Sequence, residues 1–572
     1  MIWLLLLTGA LPLVLAAFAI HRWSWWTPSV GALPALAAGL LVPIGESLDL
    51  PWLLLGTRLG LDETARIFLL FTATLWTIAG FSASQALRGT GAAGRFRVFF
   101  LLAMTGNLWL IIGQDLVSFY AGFALMGLAS YGLVIHNGDR AALRAGKVYL
   151  ALTLVGELAL FLALVLIASQ IGGLLPEPED LADLQGTAIA LLILGLGIKA
   201  GLVPLHVWVP LAYPAAPVAA AAVLSGAMSK VALLGWLRFL PLGEVASPEW
   251  GSFMVFLGMA TLLYALPVGL LQSDPRTLLA YSSIGKAGLF VLVLGLILIE
   301  PALAPIGIAG LVLYAAHHAL VKGALFLGVG LRGWSTRQGT LQGWILGGLI
   351  LLALAMAGAP LTSGALAKFA IKPILEPTDW AWLNPAMALV TLLTALLMLR
   401  FIHAVGRQPR PPGAGLDWSR ASGSGMARAT AAWAILVVLV ALLPFALGGP
   451  DAWVTNTTLM SIALLMALPV LLVARRRPAV LRPLEGMVPP GDLLVLLRPI
   501  RISLLWLLRQ LMRGSDLVLQ GAKSRIGARI ERLDPPSQDP ERLMRTWPTA
   551  GLLWLGILMG LLILAALIRS GP

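Results

Sequence analysis

The chain has 572 residues, of which 59% are hydrophobic and 11% charged, and its mean hydropathy is +0.91. A soluble domain carries roughly 25% charged residues, so composition excludes a soluble protein and indicates a polytopic membrane protein. The net charge of +13 does not indicate nucleic-acid binding, because the basic residues lie in short loops and one late amphipathic stretch. Cysteine is absent, which excludes disulfides, thiolate metal sites and thiolate-held iron–sulfur clusters.

A membrane span needs about 20 mostly apolar residues. Met1 opens directly into an apolar run ending near Ile20. No small-residue cleavage site follows and His21-Arg22 stands behind it, so the run reads as a retained first helix rather than a signal peptide. Further runs at 29–44, 64–87, 96–113, 116–136, 146–171, 187–203, 216–240, 251–272, 278–298, 304–331, 341–374, 384–406, 428–448, 455–474 and 547–568 predict an all-α fold of about sixteen transmembrane helices.

Loops alternate in charge along the whole chain. Those after odd-numbered spans are basic, with Arg22; Arg88, Arg95 and Arg97; Arg140, Arg144 and Lys147; Arg332 and Arg337; Arg407, Arg410, Arg420 and Arg428; and Arg475 to Arg477. Those after even-numbered spans carry Glu46, Asp49, Asp62 and Glu63; Glu177, Glu179, Asp180 and Asp183; Glu244 and Glu249; and Glu376 and Asp379. The positive-inside rule puts the first set in the cytoplasm and both termini on the outer face of a bacterial-type inner membrane.

Two spans read as broken. The seventh, LLILGLGIKAGLVPLHVW, has Gly201 and Pro204 just after Lys199; the twelfth, LLALAMAGAPLTSGALAKFAI, has Gly358 and Pro360 ahead of Lys368. Proline removes a backbone donor, and in a membrane that is tolerated where the backbone is buried in protein or lines a wet cavity. The breaks lie five spans apart, an odd number, which predicts two five-helix repeats of opposite topology, over 96–240 and 251–406. N-terminal spans (1–95) precede them and C-terminal helices (407–484) follow. Residues 485–546 mix Leu, Ile and Trp506 with Arg498, Arg501, Arg509, Arg513, Arg525 and Arg529, and predict a basic amphipathic helix along the cytoplasmic membrane surface before a last span in 547–572.

The candidate functional residues are charges inside spans, each of which costs about 2.5–3.5 kcal/mol at mid-bilayer. Lys199, Lys230, Lys322 and Lys368, with Glu157 and His318, form the expected proton path. A lysine in a low-dielectric site exchanges its proton more readily near neutrality. His318 and Lys322, one turn apart, share a helix face. Glu157 is the only acid deep in a span, and a lysine partner would keep it charged. Three residues are accessory candidates: His206, expected in a cytoplasmic vestibule; His317, beside His318 but about 100° round the helix; and Lys286, expected near the membrane interface. Asp115 reads as a surface residue. No phosphate loop, no His-Glu-x-x-His and no Ser-His-Asp set occurs, so neither a cofactor nor a metal is expected.

These residues also carry a family resemblance. GIKAGLVPLHVWVPLAYPAAPVAAAAVLSGAMSKVALLGWLR, then DPRTLLAYSSIGKAG, HHALVKGALFLGVG and GAPLTSGALAKF resemble, in order, the blocks of the proton-conducting antiporter-like subunits over roughly residues 60–410. That family comprises the large membrane-arm subunits of complex I, the Mrp cation/proton antiporters and the membrane subunits of formate hydrogenlyase and related hydrogenases. Tyr213-Pro214-Ala215-Ala216-Pro217 and SGAMSK lean toward the hydrogenase branch. The resemblance implies that Lys199 is the central lysine of a first half-channel, Lys368 the terminal lysine of a second, and Lys230, His318 and Lys322 the axis between them. One departure stands out: the family's fifth-helix carboxylate is replaced by Ala124, in Phe123-Ala124, which leaves Glu157 to take its place or the first half-channel altered.

The chain therefore reads as a proton- or cation-translocating subunit of a multisubunit membrane complex related to NADH:quinone oxidoreductase, Mrp antiporters or membrane-bound hydrogenases. Its expected partners are other membrane subunits, a peripheral redox arm and the lipid bilayer, and not nucleic acid. Alternatives are an energy-coupling subunit for inorganic-carbon uptake, a non-conducting anchoring subunit, and an enzyme acting on lipid-linked substrates. The last is poorly served by loops offering little beyond Arg and Gly.

Overall fold

The computed structural model describes residues 1–20, 28–87, 93–334, 339–375, 382–407 and 423–454, with Trp380 and scattered positions from 457 to 494. The helices in chain order are α1 (Trp3–Ile20), α2 (Leu33–Leu41), α3 (Glu63–Ala86), α4 (Ala93–Ile112), α5 (Leu116–Val134), α6 (Arg140–Ile171), α7 (Gly186–Ala200), α8 (Val209–Ala215), α9 (Val218–Gly226), α10 (Val231–Phe239), α11 (Pro248–Leu270), α12 (Pro275–Ile299), α13 (Ala304–Trp334), α14 (Gly339–Ala357), α15 (Ser363–Leu375), α16 (Leu383–Arg407), α17 (Gly423–Leu447) and α18 (Pro450–Val454). Among the described residues, twelve helical stretches are long and apolar enough to cross a membrane, and Trp3–Ala19 and Pro28–Leu41 are shorter apolar helices. The expected sixteen are thus not all seen among the described residues, and the expected span 455–474 is described only at scattered positions. The expected lateral helix beyond residue 494 and the last span lie outside the described residues.

One element departs from the all-α expectation. The loop after α2 forms a small antiparallel hairpin, β1 (Ser47–Leu50) and β2 (Thr57–Gly60), with Asp49 opposite Arg58 and the two joined at 2.8 Å.

Polar side chains at the helix ends satisfy backbone groups that a helix leaves orphaned. Asp62, Asp115, Asp139 and Asp274 accept from the amides of Ala65, Ser118, Ala142 and Thr277, capping α3, α5, α6 and α12. Asp115 is therefore not a surface residue. It is fully buried and also accepts the Arg58 amide at 2.9 Å, which ties β2 to α5. Arginines serve the opposite ends. Arg238 donates to the carbonyls of Leu110, Ile111 and Gly113 at the end of α4, Arg95 to His136 after α5, and Arg276 to Tyr213 and Ala216 around the end of α8.

The centre of the bundle is occupied by Val218–Phe239 and α12, each 94% buried over its apolar window, whereas α17 is 22% buried and turns Ile435, Leu442 and Leu447 outward. Helices pair where glycines let backbones touch. A side chain on Gly122 (α5) would stand 2.8 Å from the Gly106 carbonyl of α4, and one on Gly288 (α12) 2.6 Å from the Gly258 carbonyl of α11. The first two helices of each expected five-helix unit thus approach each other closely at a pair of glycines.

Both breaks are present and built alike. After α7, Gly201 has φ +81°, and the Leu202 amide donates back to Gly197 O at 2.9 Å. After α14, Gly358 has φ +82°, and the Ala359 amide donates back to Leu354 O at 3.0 Å. This is the left-handed glycine stop with its long return bond, and it recurs five spans later. Neighbours take up donors freed beyond each stop: Thr261 Oγ1 accepts the Val203 amide at 3.3 Å, and Trp453 O the Leu361 amide at 2.8 Å. The expected twelfth span is consequently two helices, α14 and α15. A third interruption was not expected. The span 216–240 is α9 and α10 joined by a 3₁₀ turn, Met228–Lys230.

Candidate functional site

The buried ionisable groups gather in three clusters around these interruptions. In the first, Lys199 lies in the last turn of α7 and is 6% exposed. Its Nζ has no hydrogen-bond partner among the described residues and lies 5.5 Å from the centre of the Phe123 ring and 5.9 Å from that of Tyr149, a cation–π setting. Glu157, on α6, is 5% exposed and its Oε1 is likewise unpartnered. The two side chains feel each other's charge but do not close to an ion pair within 4.0 Å. A cavity of about 10 Å³ lies between α5, α6 and α7, walled by Phe123, Thr153, Gly156, Ile198, Lys199 and Trp208. That is room for about one water. Charged groups this deep need such a partner, since an unpaired buried charge is far costlier than a bridged one.

The second cluster centres on Lys230. Its Nζ donates to Ser225 O at 2.6 Å and to Ser229 Oγ at 3.1 Å, so the ammonium caps the carbonyl end of α9. A second cavity of about 10 Å³ is lined by Lys230, Ser229, Trp236, Ser283, Phe290 and His318. Ala200, next to Lys199, is also in its wall, so the first break borders both cavities. Both ring nitrogens of His318 lack hydrogen-bond partners among the described residues. Lys322, fully buried one turn along α13, donates to Leu279 O of α12 at 2.7 Å.

The third cluster surrounds the second break. Lys368, on α15, reaches back across the gap and donates to Ala357 O, the last carbonyl of α14, at 2.8 Å, with Thr391 Oγ1 of α16 at 3.4 Å. His317 Nδ1 lies 2.9 Å from Ser363 Oγ, at the first residue of α15.

Two expectations are corrected. Lys286 is not at the interface; it is 2% exposed, with Nζ 5.5 Å from the centre of the Tyr314 ring, because α12 is central along its whole length. His206 does not face a vestibule. The 3₁₀ turn Leu205–Trp208 folds it inward, and it is fully buried 5.2 Å from the Tyr264 ring and 6.4 Å from that of Tyr281. Sequence reading passed over the neutral groups that complete the clusters: Tyr149, Ser225, Ser229, Ser363 and Thr391. For Ser225, Ser229 and Ser363 the signal available was a hydroxyl within a turn or two of a break or of a span lysine, whereas Tyr149 and Thr391 carried no such signal.

A membrane bundle with two matching helix stops, and with lysines and histidines buried beside them, defines an antiporter-like membrane subunit. Comparison with known proteins gives the family. Residues 113–396 match the family model described as NADH:quinone oxidoreductase/Mrp antiporter, TM. The chain is 31% identical to NADH-quinone oxidoreductase subunit N of Cereibacter sphaeroides over 440 residues, covering 74% of this chain and 93% of that protein. It is 32% identical to hydrogenase-4 component B of Escherichia coli over 255 residues, which are 42% of this chain and 38% of that protein, so the match spans well under half of that relative. Among solved structures, a chain of the Mrp complex from a Dietzia species superposes with a TM-score of 0.64 at 21% identity, covering 78% of this chain and 95% of that one. The chain belongs to the NADH:quinone oxidoreductase/Mrp antiporter family of membrane subunits, and it is a multi-pass membrane protein.

Proposed function

We propose that this chain moves protons across the membrane as one subunit of a larger membrane complex. The observation that carries the reading is that Lys199, Lys230 and His318 are buried and Lys368 half-buried at or beside helix interruptions, with water-sized cavities at Lys199 and at Lys230 and His318. Residues 96–240 hold the first half-path, where Glu157 and Lys199 exchange a proton. Residues 251–406 hold the second, ending at Lys368. Lys230, His318 and Lys322 lie between them, with Lys286, His317 and His206 as accessory groups.

The hydrogen bonds support this use of lysine: each carbonyl that caps an ammonium offers a resting place for the charged state. The chain's partners are other membrane subunits, the energy comes from them or from a peripheral redox arm, and the protein sits in a bacterial inner membrane with its termini outside.

The test uses the intact complex reconstituted in vesicles, with proton flux read by a trapped pH dye. Lys199→Ala and Lys368→Ala should each lower flux by roughly tenfold or more, with assembly unchanged. Full flux in both variants overturns the proposal. Ala124 favours a second reading, a subunit that only anchors its neighbours, and that reading expects Glu157→Gln to leave flux untouched.

A further inference from the structure

The histidine pair on α13 faces two ways. His318 borders the cavity it shares with Lys230, whereas His317 turns toward α15 and meets Ser363 at 2.9 Å. Neighbouring helix positions point about 100° apart, so no single environment serves both rings. Both are buried, each 1% exposed. Ser363 is also 1% exposed, and it opens the helix on which Lys368 stands. Lys368 in turn closes the same gap from within, through Ala357 O. The imidazole of His317 therefore reaches from α13 to the first residue of the interrupted helix.

We propose that His317 and Ser363 form the link through which protons on the α13 row reach the second break, while His318 serves the Lys230 side. This rests on the proton-path reading above and adds a specific connection to it. The transfer is neutral overall. A proton arriving at Nε2 is matched by release of the Nδ1 proton to Ser363 Oγ, and the serine's own proton passes to a water on the Lys368 side. A return flip of the ring and the hydroxyl resets the pair. An imidazole suits this step because its two nitrogens exchange donor and acceptor roles.

The test again uses the reconstituted complex. His317→Gln keeps a group able to hydrogen-bond Ser363 but cannot relay a proton, and it should lower flux roughly tenfold or more. Ser363→Ala, a loss of one oxygen atom, should lower flux similarly, and it keeps the question answerable if the histidine change disturbs assembly. Ser363→Thr, which retains the hydroxyl, should recover most of the flux. The double variant His317→Gln/Ser363→Ala should be no worse than either single change, as expected for two members of one link. Wild-type flux in His317→Gln, in a complex where Lys368→Ala is inactive, overturns the link and leaves the wider reading standing. Losses that multiply in the double variant also overturn it, since the two residues would then act separately. Full flux in Lys368→Ala and Lys199→Ala removes the path itself, and the link with it.

Discussion

Glu157 Oε1 rests directly against Gly127 of α5, where a methyl group would overlap it. The missing side chain is what lets a carboxylate from α6 lie against α5, one turn along from Ala124. The Tyr149 hydroxyl donates to Gly127 O at 2.8 Å and closes the other side of the seat. The acid that relatives are expected to carry on the fifth helix is absent here, and an acid from the sixth helix presses onto that same helix.

Gly127→Ala is therefore expected to displace the Glu157 carboxylate while leaving the fold intact. The clashing atom is the end of a flexible side chain, and alanine is favoured over glycine in a helix by about 1 kcal/mol. Flux in vesicles should fall, by up to about 100-fold if the displacement reaches 1 Å, while thermal stability holds or rises. Unchanged flux would show that the position of the carboxylate does not matter.

Returning the acid to α5 gives a complementary prediction. Glu157→Gln should lower flux, and adding Ala124→Glu to that variant should restore part of it. Ala124 and Gly127 are three residues apart and so neighbours on one helix face, which puts the new carboxylate close to the old one. The same proton-flux measurement decides it; no recovery in the double variant argues for a route that does not use the α5 side of Lys199.

The sequence made the breaks legible because glycine and proline act locally: Gly201 with Pro204 and Gly358 with Pro360 announce stops that the structure contains. Most of the span lysines were equally plain, since a charge in an apolar run has few places to go. Lys286 and His206 were misplaced because depth along a span does not reveal depth within a bundle; α12 is central and the 3₁₀ turn at His206 folds inward. The interruption at Lys230 carried no proline; there Lys230 Nζ binds Ser225 O, five residues back at the carbonyl end of α9. The Gly127 seat was invisible because it concerns two helices at once.

His136, in the turn after α5 and outside the spans, predicts a pH dependence of stability. Burial, with Arg95 close by, pushes its imidazole down to about 4 from an ordinary value near 6.5. The ring is 4% exposed and packs edge-on against Phe96 at 5.2 Å. The native state therefore holds it neutral, while the unfolded chain binds a proton below pH 6.5. Its contribution is complete above about 6.5 and is lost as pH falls toward 4, with a full extent of about 3 kcal/mol. Thermal unfolding in detergent should show wild-type Tm dropping more steeply over that window than His136→Phe. Parallel curves would mean that the ring ionises freely in the folded protein.

The two helix stops are alike in backbone and unlike in what stands over them, and this separates their mutational effects. An alanine at either Gly201 or Gly358 must adopt a positive φ, at a cost of about 1–2 kcal/mol. At Gly201 the new methyl meets Val209 Cγ2 at 2.6 Å, an apolar crowding. At Gly358 it meets Lys368 Cδ, Cε and Nζ at 2.8–2.9 Å, so it presses on the side chain that bridges the break. Both variants should lose stability to a similar degree. Gly358→Ala should in addition break the bond from Lys368 to Ala357 O and lower flux beyond what its loss of folded protein explains. Flux per folded complex, normalised by detergent-extracted native protein, distinguishes the two. Equal specific flux in Gly201→Ala and Gly358→Ala would mean that the Lys368 bridge takes no part in conduction.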